Sequence, residues 1–394
     1  MKILYIQSDP KLNGSGKALF NLISSIHKEN EIEVFMPNAN DELGKRLKDI
    51  GVKSIGCPFK LRWYPKLKRT WKLYKNLRPI RDFLLGLFEE YSAKSSLEKE
   101  VRRFAPDIIH TNVGPVDIGY KVAQKYGIPH VWHIREYQDL DFGACYFPSA
   151  KTFRRLIHSS KTHNIAITKG VFNHFLLDKK KDSVIYDGVI DGTLHPWYSK
   201  ESPIEGKYFL YVSGSVSENK GATDALLSFC EFAKENKEFK LVYVGLYYQR
   251  DLYYQKLQSI ISKHNLNNRV LFLGRRKSKD VYNLMHHASA FLMLSKFEGF
   301  GFTTVEAMFN RCLVIGRNTA GTKEQFDNGL SLTGHEIGLR VNDNPETVNA
   351  MRWISNCMDS QEIEQIKTNA KRTVTELYTF QKYVLNILRV YKQL

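Results

Sequence analysis

The sequence predicts an α/β protein of two domains, each built on a parallel β-sheet that helices cover on both faces. Short apolar runs alternate with segments of helical periodicity along the whole chain, a pattern typical of such sheets. The alternation restarts near the middle of the chain, which indicates two sheets. A length of 394 residues also suits two domains better than one core.

The first domain is expected over residues 1–195. Four apolar runs predict its buried strands, at residues 3–7, 32–36, 108–110 and 130–134. The stretches between these strands carry apolar residues at helical spacing, which predicts the covering helices. One example is the series Ala18, Leu19, Leu22, Ile23 and Ile26.

The second domain is expected over residues 196–377, after prolines interrupt the periodicity between residues 191 and 206. Its predicted strands lie at residues 208–212, 241–244, 270–273, 290–294 and 313–315. The last stretch, about residues 378–394, predicts an amphipathic helix that we expect to pack back onto the first domain. Its apolar face consists of Phe380, Tyr383, Val384, Ile387, Leu388 and Tyr391.

The composition is typical of a soluble globular protein, with 43% hydrophobic and 25% charged residues. No apolar run approaches the roughly 18 residues that indicate a membrane span. The apolar run at the N-terminus is too short for a signal peptide. The five cysteines form no CxxC pair, which favours reduced thiols with a structural role. We therefore expect a cytoplasmic protein.

The most informative segment is Glu-Gly-Phe-Gly-Phe-Thr-Thr-Val-Glu at residues 298–306, directly after a predicted strand. Gly299 and Gly301 allow a tight turn and a close approach of the backbone to a ligand. A helix that begins near Thr303 would expose free N–H groups, which suits a diphosphate. Glu298 and Glu306 would then flank that site, and a carboxylate accepts hydrogen bonds from sugar hydroxyls.

A structural interpretation of these carboxylates is also open. Thr303 and Glu306 have the spacing of a capping box, so Glu306 could serve only to cap the helix. Glu298 could be a solvated loop charge.

Two glutamates separated by seven residues within this motif resemble the signature of retaining glycosyltransferase family 4, which has the glycosyltransferase B fold. Other segments resemble the same family in the same order. Residues 213–221 are similar to its first phosphate loop, and residues 272–275 to the segment that lies against the nucleotide base. Residues 184–190 resemble the strand and turn that close the first domain, and residues 320–324 a glycine-rich turn.

The resemblance implies two Rossmann-like domains that face each other across a cleft. The N-terminal domain would bind the acceptor and the C-terminal domain the nucleotide sugar. It further implies retention of configuration. The nucleotide sugar would be a substrate, so we expect no other cofactor, and we expect no dedicated metal because the cations and the helix terminus would stabilise the diphosphate.

The resemblance also implies roles for single residues. Glu306 would hold the ribose hydroxyls, Glu298 would contact the donor sugar, and Lys220 would neutralise the departing phosphate. A solvent-facing Lys220 beside Glu218 is the structural alternative. Further donor contacts would come from the backbone or side chains of Gly14, Gly16, Gly214, Ser215, Gly274, Arg275, Phe300, Gly301, Phe302 and Thr303.

The chain departs from the family at Ser215, where members usually carry an arginine. One hydroxyl cannot replace a bidentate cation. Another cation must stand in, or stabilisation of the leaving group is weaker. The candidates for that cation are Arg275, Arg276 and Arg135.

In the first domain, His133 and Arg135 end a predicted strand and are candidate catalytic residues at the mouth of the cleft. The register is ambiguous, because Arg135 aligned from Pro129 falls where the family often has a histidine. His110 ends a neighbouring strand, and a structural role for these histidines is the alternative. Asp139 and Asp141 resemble a metal-binding pair of a different glycosyltransferase fold, but they lack supporting ligands, and we expect a loop there.

Two further segments have open interpretations. The glycine-containing loop at residues 12–17 lacks the spacing of a Walker motif and could contact the donor or form an ordinary turn. His286 and His287 lie on a predicted helix, where packing or surface exposure is expected.

The formal net charge of +17 indicates a polyanionic partner: nucleic acid, an anionic membrane or phosphate-bearing small molecules. Seven cations and no acidic residue lie between residues 66 and 81, interleaved with aromatic residues near helical spacing. Such a segment suits an anionic membrane surface. A solvated cationic face and a nucleic-acid site are the alternatives. The cations are Lys66, Lys68, Arg69, Lys72, Lys75, Arg78 and Arg81.

The sequence thus predicts a metal-independent, retaining glycosyltransferase that uses a UDP- or GDP-sugar in cell-surface polysaccharide synthesis. The acceptor would be a glycan or a lipid-linked glycan, with the enzyme peripheral on the inner face of the cell membrane. An epimerase or phosphorylase of the same fold is one alternative. A basic nucleic-acid-binding protein is the other, although we expect no nucleic acid as partner.

Overall fold

The computed structural model describes the chain except for residues 13, 65–73 and 194–197 and the side chains of residues 74–76. The chain forms two compact units. Met1–Gly188 and Phe380–Leu394 make up the first, and Val189–Thr379 the second. The first change of unit, after Gly188, therefore precedes the boundary predicted at residues 195/196.

The first unit contains a seven-stranded parallel sheet with the strand order β3-β2-β1-β4-β5-β6-β7. Its strands are β1 Lys2–Ile6, β2 Glu31–Met36, β3 Lys53–Gly56, β4 Ile108–Thr111, β5 His130–Ile134, β6 Thr162–Ala166 and β7 Ser183–Val184. Its helices are α1 Gly14–Ile26, α2 Glu42–Asp49, α3 Tyr74–Phe104, α4 Ile118–Tyr126, α5 Asp139–Phe142, α6 Ala150–Ile157 and α7 Lys169–His174.

All four strands predicted in this half are confirmed, whereas β3 and β6 were not predicted. The sequence of β3 is Lys-Ser-Ile-Gly and has no apolar run. Strand β6 reads Thr-His-Asn-Ile-Ala and is fully buried despite its polar residues. Asn164 in β6 donates a hydrogen bond to the carbonyl of Ile157 and another to Asp182. These bonds compensate for burying its side-chain amide nitrogen.

The second unit contains a six-stranded parallel sheet with the order β10-β9-β8-β11-β12-β13. Its strands are β8 Lys207–Ser215, β9 Phe239–Leu246, β10 Val270–Phe272, β11 Ala290–Met293, β12 Val314–Arg317 and β13 Leu339–Val341. Its helices are α8 Ala222–Phe232, α9 Leu252–Lys263, α10 Ser278–His287, α11 Phe302–Phe309, α12 Ala320–Thr333, α13 Asn344–Cys357 and α14 Gln361–Leu377. The five predicted strands are confirmed. The strand order reverses between β8 and β11, where open α/β sheets bind ligands at their carboxyl edge.

The C-terminal helix α15, Phe380–Tyr391, belongs to the first unit. Its buried residues Tyr383, Ile387, Val390 and Tyr391 join the core that contains the β1 residues Ile3 and Tyr5. The chain end is therefore part of the core of the first unit.

The five cysteines are all free thiols. Among the described residues, no helix combines the length and the apolar character that crossing a bilayer requires.

Candidate functional site

Two loops meet at the carboxyl edge of the second sheet, one after β8 and the other after β11. The Ser295 hydroxyl donates a hydrogen bond of 3.3 Å to the carbonyl oxygen of Asn219. Gly221 adopts φ +76°, and a Cβ at this position would lie 2.4 Å from the carbonyl oxygen of Leu294. Only glycine combines that conformation with so close an approach. The two loops therefore lie in direct contact.

This contact brings Lys220 and Glu298 together. The Lys220 Nζ lies 2.7 Å from the Glu298 Oε2, although the two residues are far apart in the sequence. The side chains are 42% and 22% exposed, respectively. Because both are solvent-accessible, the pair can exchange partners with a polar ligand. Lys220 is partly exposed to solvent, as the structural alternative expects, but its partner is Glu298, whereas Glu218 pairs with Lys256.

The backbone of the Glu298 loop is held from α12. The Gly321 N–H donates to the Glu298 carbonyl at 2.9 Å. The Gln325 side-chain amide donates to the Phe300 carbonyl at 2.6 Å. These two bonds hold the carbonyl oxygens of the loop. The start of α12, which includes the segment at residues 320–324, therefore fixes the position of the Glu298 loop.

Helix α11 begins at Phe302, one residue earlier than predicted, and its N-cap is Gly301 with φ +93°. Gly301 has no side chain with which to cap this helix end. The capping-box interpretation of Thr303 and Glu306 is therefore wrong, because Thr303 lies inside the first turn. The Thr304 N–H donates to the Gly301 carbonyl at 3.2 Å. The N–H groups that precede it at the start of a helix generally have no acceptor within the helix and favour an anion.

Two unpaired polar atoms accompany this helix end. Within the described part of the chain, the buried Thr304 Oγ1 and Gln325 Oε1 have no hydrogen-bond partner. A Cβ built on Gly301 would lie 3.3 Å from Thr304 Oγ1, which places that hydroxyl beside the turn. Most buried polar atoms in folded proteins have a partner, so a water molecule or a ligand could supply the one that these two atoms lack.

Glu306 lies on α11 and is nearly buried, with 9% of the residue exposed. Its Oε1 accepts a hydrogen bond of 3.2 Å from the Tyr282 hydroxyl of α10. Burial, followed by the charge of Glu306, raises the pKa of Tyr282, so the hydroxyl remains a donor. Tyr282 therefore orients the carboxylate. The sequence analysis missed it because nothing in the local pattern of α10 distinguishes it from a packing residue.

The remaining predicted donor contacts of this unit lie on neighbouring loops. Gly214 and Ser215 are exposed at the end of β8, after an irregularity in the pairing with β9. The Gly274 carbonyl accepts a hydrogen bond from the Gly245 N–H at 3.1 Å. Arg275 and Arg276 are exposed after β10. Both arginines therefore remain available as the cation that Ser215 lacks.

An aromatic cluster surrounds the segment predicted to face the base. The Phe272 ring stacks on Tyr243 with a centroid distance of 4.8 Å and contacts Tyr247 and Tyr254. Beside it lies a cavity of about 160 Å³ that Ser215 and Tyr253 help to line. The β8 loop thus borders a cavity that is lined largely by tyrosines, which the sequence analysis did not predict.

In the first unit, Arg135 is held by a set of buried partners. Its Nη1 lies 2.6 Å from Asp187, and the two side chains are 5% and 1% exposed. Its Nε donates to Asn112, and its Nη2 donates to the Tyr383 hydroxyl of α15. The sequence analysis expected Arg135 in an accessible position, but its hydrogen bonds are directed into the core.

His133 and His110 lie in the same buried region. The Arg135 Nη2 lies 3.4 Å from His133 Nδ1, and His110 Nδ1 lies 2.5 Å from the Tyr391 hydroxyl. Burial, followed by the positive charge of Arg135, lowers the pKa of both histidines, so both rings are neutral at pH 7. The structure thus places His133 in the interior of this unit, where the sequence analysis had expected an accessible position.

The next residues along the chain contain a carboxyl group with a raised pKa and a residue with positive φ. The Glu136 Oε1 accepts a hydrogen bond of 3.2 Å from the Gly114 N–H. Burial, followed by the charge of Asp141, raises the pKa of Glu136 to about 8. Gln138 is buried with φ +72°, and its side-chain amide nitrogen has no partner among the described residues. Strained backbone and perturbed carboxylates are typical of functional sites.

Other predicted segments of the first unit differ in structure from the expectation. Helix α1 begins at Gly14, so the expected loop at residues 12–17 is largely helical, and Gly16 is buried within it. Asp139 and Asp141 belong to the short helix α5 and not to a loop. Asp139 pairs with His174 at 3.0 Å, and Asp141 accepts the Tyr137 N–H.

The predicted histidine pair of the second unit lies at the end of α10. The His286 ring stacks on Tyr198 with a centroid distance of 3.8 Å, and His287 lies 2.9 Å from the Ser199 carbonyl oxygen. Both histidines therefore pack locally, as expected.

Most of the predicted basic segment lies outside the described residues. Lys66, Lys68, Arg69 and Lys72 fall there, and the side chain of Lys75 is also outside the description. Arg78 and Arg81 lie on α3 and are 85% and 65% exposed, respectively.

Comparisons with known proteins bear on the second unit and on the fold. Residues 197–372 match the family model of glycosyl transferases group 1. An uncharacterized glycosyltransferase of Methanocaldococcus jannaschii is 25% identical over 299 residues, which cover 73% of this chain and 76% of the relative. A GDP-mannose:cellobiosyl-diphosphopolyprenol alpha-mannosyltransferase of Xanthomonas oryzae is 32% identical over 103 residues, or 26% of each chain.

The Anabaena protein HepE, solved in complex with UDP and glucose, has a TM-score of 0.76 at 17% identity over 100% of both chains. The fold class predicted from the sequence is thereby confirmed. The chain has the glycosyltransferase B fold, and its second unit carries the segment that matches the glycosyl transferases group 1 family.

Proposed function

We propose that the chain is a retaining glycosyltransferase that moves a sugar from a UDP- or GDP-sugar to a glycan or lipid-linked acceptor in cell-surface polysaccharide synthesis. The observation that carries this proposal is the accessible Lys220–Glu298 pair, 2.7 Å apart, in which Glu298 lies in the loop that leads into the N-terminus of α11. This arrangement brings together a cation and a helix N-terminus, which bind a diphosphate, and a carboxylate, which binds sugar hydroxyls.

In this proposal each group of the second unit contacts one part of the donor. Glu306, oriented by Tyr282, accepts hydrogen bonds from the ribose hydroxyls. The first-turn N–H groups of α11 bind the diphosphate, with Lys220 beside them. Glu298 contacts the sugar, and the exposed Arg275 or Arg276 supplies the charge that Ser215 cannot.

The reaction breaks the bond between the anomeric carbon and the diphosphate oxygen. The negative charge that develops on this oxygen is stabilised by Lys220 and by the helix N-terminus. The acceptor oxygen forms the new bond on the same face of the sugar, and its proton leaves with the departing phosphate. Retention therefore needs no carboxylate nucleophile from the chain.

The acceptor is assigned to the first unit. Glu136 and Gln138 lie beyond the carboxyl end of β5, where parallel sheets bind ligands. A half-buried carboxyl with a raised pKa can donate a hydrogen bond to an acceptor oxygen, as well as accept one. The buried His133 and Arg135 would not contact the acceptor. They would hold the end of β5, and with it Glu136, in position.

The names of two similar proteins support these substrate classes. The Xanthomonas relative uses GDP-mannose and a diphosphopolyprenol-linked acceptor by its name, and the Anabaena protein was solved with UDP and glucose. A lipid-linked acceptor would also account for the positive charge of residues 66–81, at the inner face of the cell membrane.

A thermal-shift screen against UDP-, GDP- and ADP-sugars tests the proposal. A bound donor at about 100 times its Kd stabilises the fold by roughly 2.7 kcal/mol. We expect one nucleotide class to raise the Tm and the same sugar nucleotide to release nucleotide when a glycan acceptor is added. An acceptor-independent change in the sugar, or a requirement for free phosphate, would contradict transfer.

We also propose that transfer proceeds without a divalent ion, because Lys220 and the α11 N-terminus supply the positive charge at the diphosphate. Nucleotide release should therefore persist in EDTA. Loss of activity on chelation, with rescue by manganese or magnesium, would overturn this part and return attention to Asp139 and Asp141.

A further inference from the structure

A line of buried side chains joins the ends of three neighbouring strands in the first sheet. Gln7 follows β1, Asn112 follows β4 and Arg135 follows β5, and these strands are adjacent in the order β1-β4-β5. Gln7 and Asn112 are fully buried. The Arg135 Nε donates to Asn112 Oδ1 at 3.1 Å, and Asn112 Nδ2 donates to Gln7 Oε1 at 2.7 Å. We call this chain of hydrogen bonds the Arg135 relay.

The Arg135 relay ends at the start of α1. The Gln7 Nε2 donates to the Asp9 carbonyl at 2.9 Å and lies 3.4 Å from the Ser15 Oγ, to which it also donates. The Asn112 Nδ2 donates to the Ser15 carbonyl at 3.2 Å. Ser15 lies in the first turn of α1 and is half-buried, and Gly14 before it is exposed. The buried relay therefore holds a segment that a ligand can reach.

The direction of the relay is determined by the charge at its origin. A guanidinium group has five N–H donors and no acceptor. Arg135 therefore requires the oxygen of the Asn112 amide to face it, so that Nδ2 donates in the opposite direction. The Asn112 amide orients the Gln7 amide in the same way, with its nitrogen toward α1. Asp187 and Tyr383 hold the guanidinium in place by accepting hydrogen bonds from its two Nη atoms.

The position of the relay in the sheet links it to a ligand. The strand order of the first sheet reverses between β1 and β4. Open parallel sheets bind ligands beyond the carboxyl ends of their strands at such a reversal. Gln7 and Asn112 follow these two strands, so the hydrogen bond between them spans the reversal. Because both side chains are fully buried, neither contacts the ligand itself.

We propose that Arg135 is a positioning residue for the acceptor, because it orients the two amides that hold the start of α1 beside the acceptor site. The inference rests on the assignment of the acceptor to the first unit under the proposed function. It adds the residues that determine the shape of that site at the reversal between β1 and β4. Arg135 thus acts on acceptor binding, whereas the leaving group is stabilised from the second unit.

Two variants interrupt the relay beyond Arg135 and leave its buried ion pair intact. Asn112→Asp keeps an acceptor for Arg135 but provides no donor for Gln7 or for the Ser15 carbonyl. Gln7→Met has a similar length and no hydrogen-bonding amide. The matched control is Asn369→Asp, which places a carboxylate at a position that is 7% exposed. The Asn369 Nδ2 has no hydrogen-bond partner among the described residues, so this control loses no such bond.

The first measurement is hydrogen–deuterium exchange of the Ala18 and Leu19 amides. In a regular helix their acceptors are the carbonyl oxygens of Gly14 and Ser15. Both relay variants should speed this exchange about fivefold or more, because the first turn of α1 opens more often once its buried donors are lost. Exchange at Leu22, which is fully buried further along α1, should change less than at these two positions.

The second measurement is steady-state kinetics with the glycan acceptor that supports nucleotide release. In both relay variants the KM for this acceptor should rise about tenfold and kcat should change less than about threefold, as expected when a variant loses binding that the ground state and the transition state share. The KM for the donor should stay at its wild-type value. In the control, both KM values and kcat should match wild type.

Four outcomes would overturn the inference. Unchanged exchange in both relay variants would show that the relay does not hold α1. Faster exchange with an unchanged acceptor KM would make the relay a purely structural feature. An equal rise of the acceptor KM in the control would assign the effect to general destabilisation, and a rise of the donor KM alone would assign the relay to the donor. Absence of transfer by wild type would instead contradict the proposed function, and the exchange rates would still decide whether the relay holds α1.

Discussion

The two units each hold a cation–carboxylate pair near the carboxyl edge of their sheet, and the pairs differ in exposure. Arg135 and Asp187 are 2.6 Å apart and 5% and 1% exposed. Lys220 and Glu298 are 2.7 Å apart and 42% and 22% exposed. A buried charge that loses its partner is left uncompensated, whereas an exposed pair is weak and readily exchanges partners. The contact distances are similar, so burial determines which pair is structural and which is available to a ligand.

The largest expected effect concerns the buried pair. Arg135→Met leaves the Asp187 carboxylate buried without its cation, and loss of one partner of such a pair costs about 3–5 kcal/mol. Urea denaturation followed by circular dichroism should show this loss. The matched exposed variant, Arg352→Met, which removes the Glu235 pair, should cost about 1 kcal/mol or less. Equal losses in the two variants would remove the distinction between the pairs.

The exposed pair should show the opposite balance, with a small effect on stability and a large effect on turnover. Lys220→Met leaves Glu298 solvated, so the free energy of unfolding should change by about 1 kcal/mol or less. The turnover number should fall by roughly 10²–10³, as when one donor to a developing oxyanion is removed. Full activity in this variant would show that Lys220 does not stabilise the leaving group.

A smaller, pH-dependent effect is expected from Glu136. Its folded pKa of about 8 lies above the roughly 4.3 of an unfolded glutamate. Between these values the folded chain retains a proton that the unfolded chain has lost, so stability falls as pH rises. The slope should approach about 1.4 kcal/mol per pH unit.

Glu136→Gln should remove this slope between pH 6 and pH 8, as measured by urea denaturation. Glu29→Gln, at an exposed position, is the control and should retain it. Identical slopes in wild type and Glu136→Gln would mean that Glu136 is ionised in the folded chain throughout this range.

The fold could be predicted from the sequence because nine of the strands consist of apolar runs that are bounded by polar or helical segments. Strands β3 and β6 did not follow, because one lacks such a run and the other buries polar residues that tertiary partners satisfy. The edge strand β13 was also not predicted, and only three residues form it.

The candidate site could be predicted from the sequence only in part. Lys220, Glu298 and Glu306 were predicted from a motif, because they lie in short segments with recognisable spacing. Tyr282 was not, since its relation to Glu306 exists only after α10 and α11 pack. The burial of Arg135 depends on Tyr383, which lies 248 residues further along the chain, and no local pattern contains that partner.

Calorimetric binding of the donor to wild type and to Glu306→Gln tests the central claim most directly. The claim is that the second unit binds the nucleotide sugar through the groups around α11, namely the exposed Lys220–Glu298 pair and the nearly buried Glu306. If Glu306 accepts the ribose hydroxyls, the substitution should weaken donor binding by roughly 1–3 kcal/mol, the range for a charge-assisted hydrogen bond. The unfolding curve should change little. Unchanged donor affinity in a folded Glu306→Gln variant would contradict the claim.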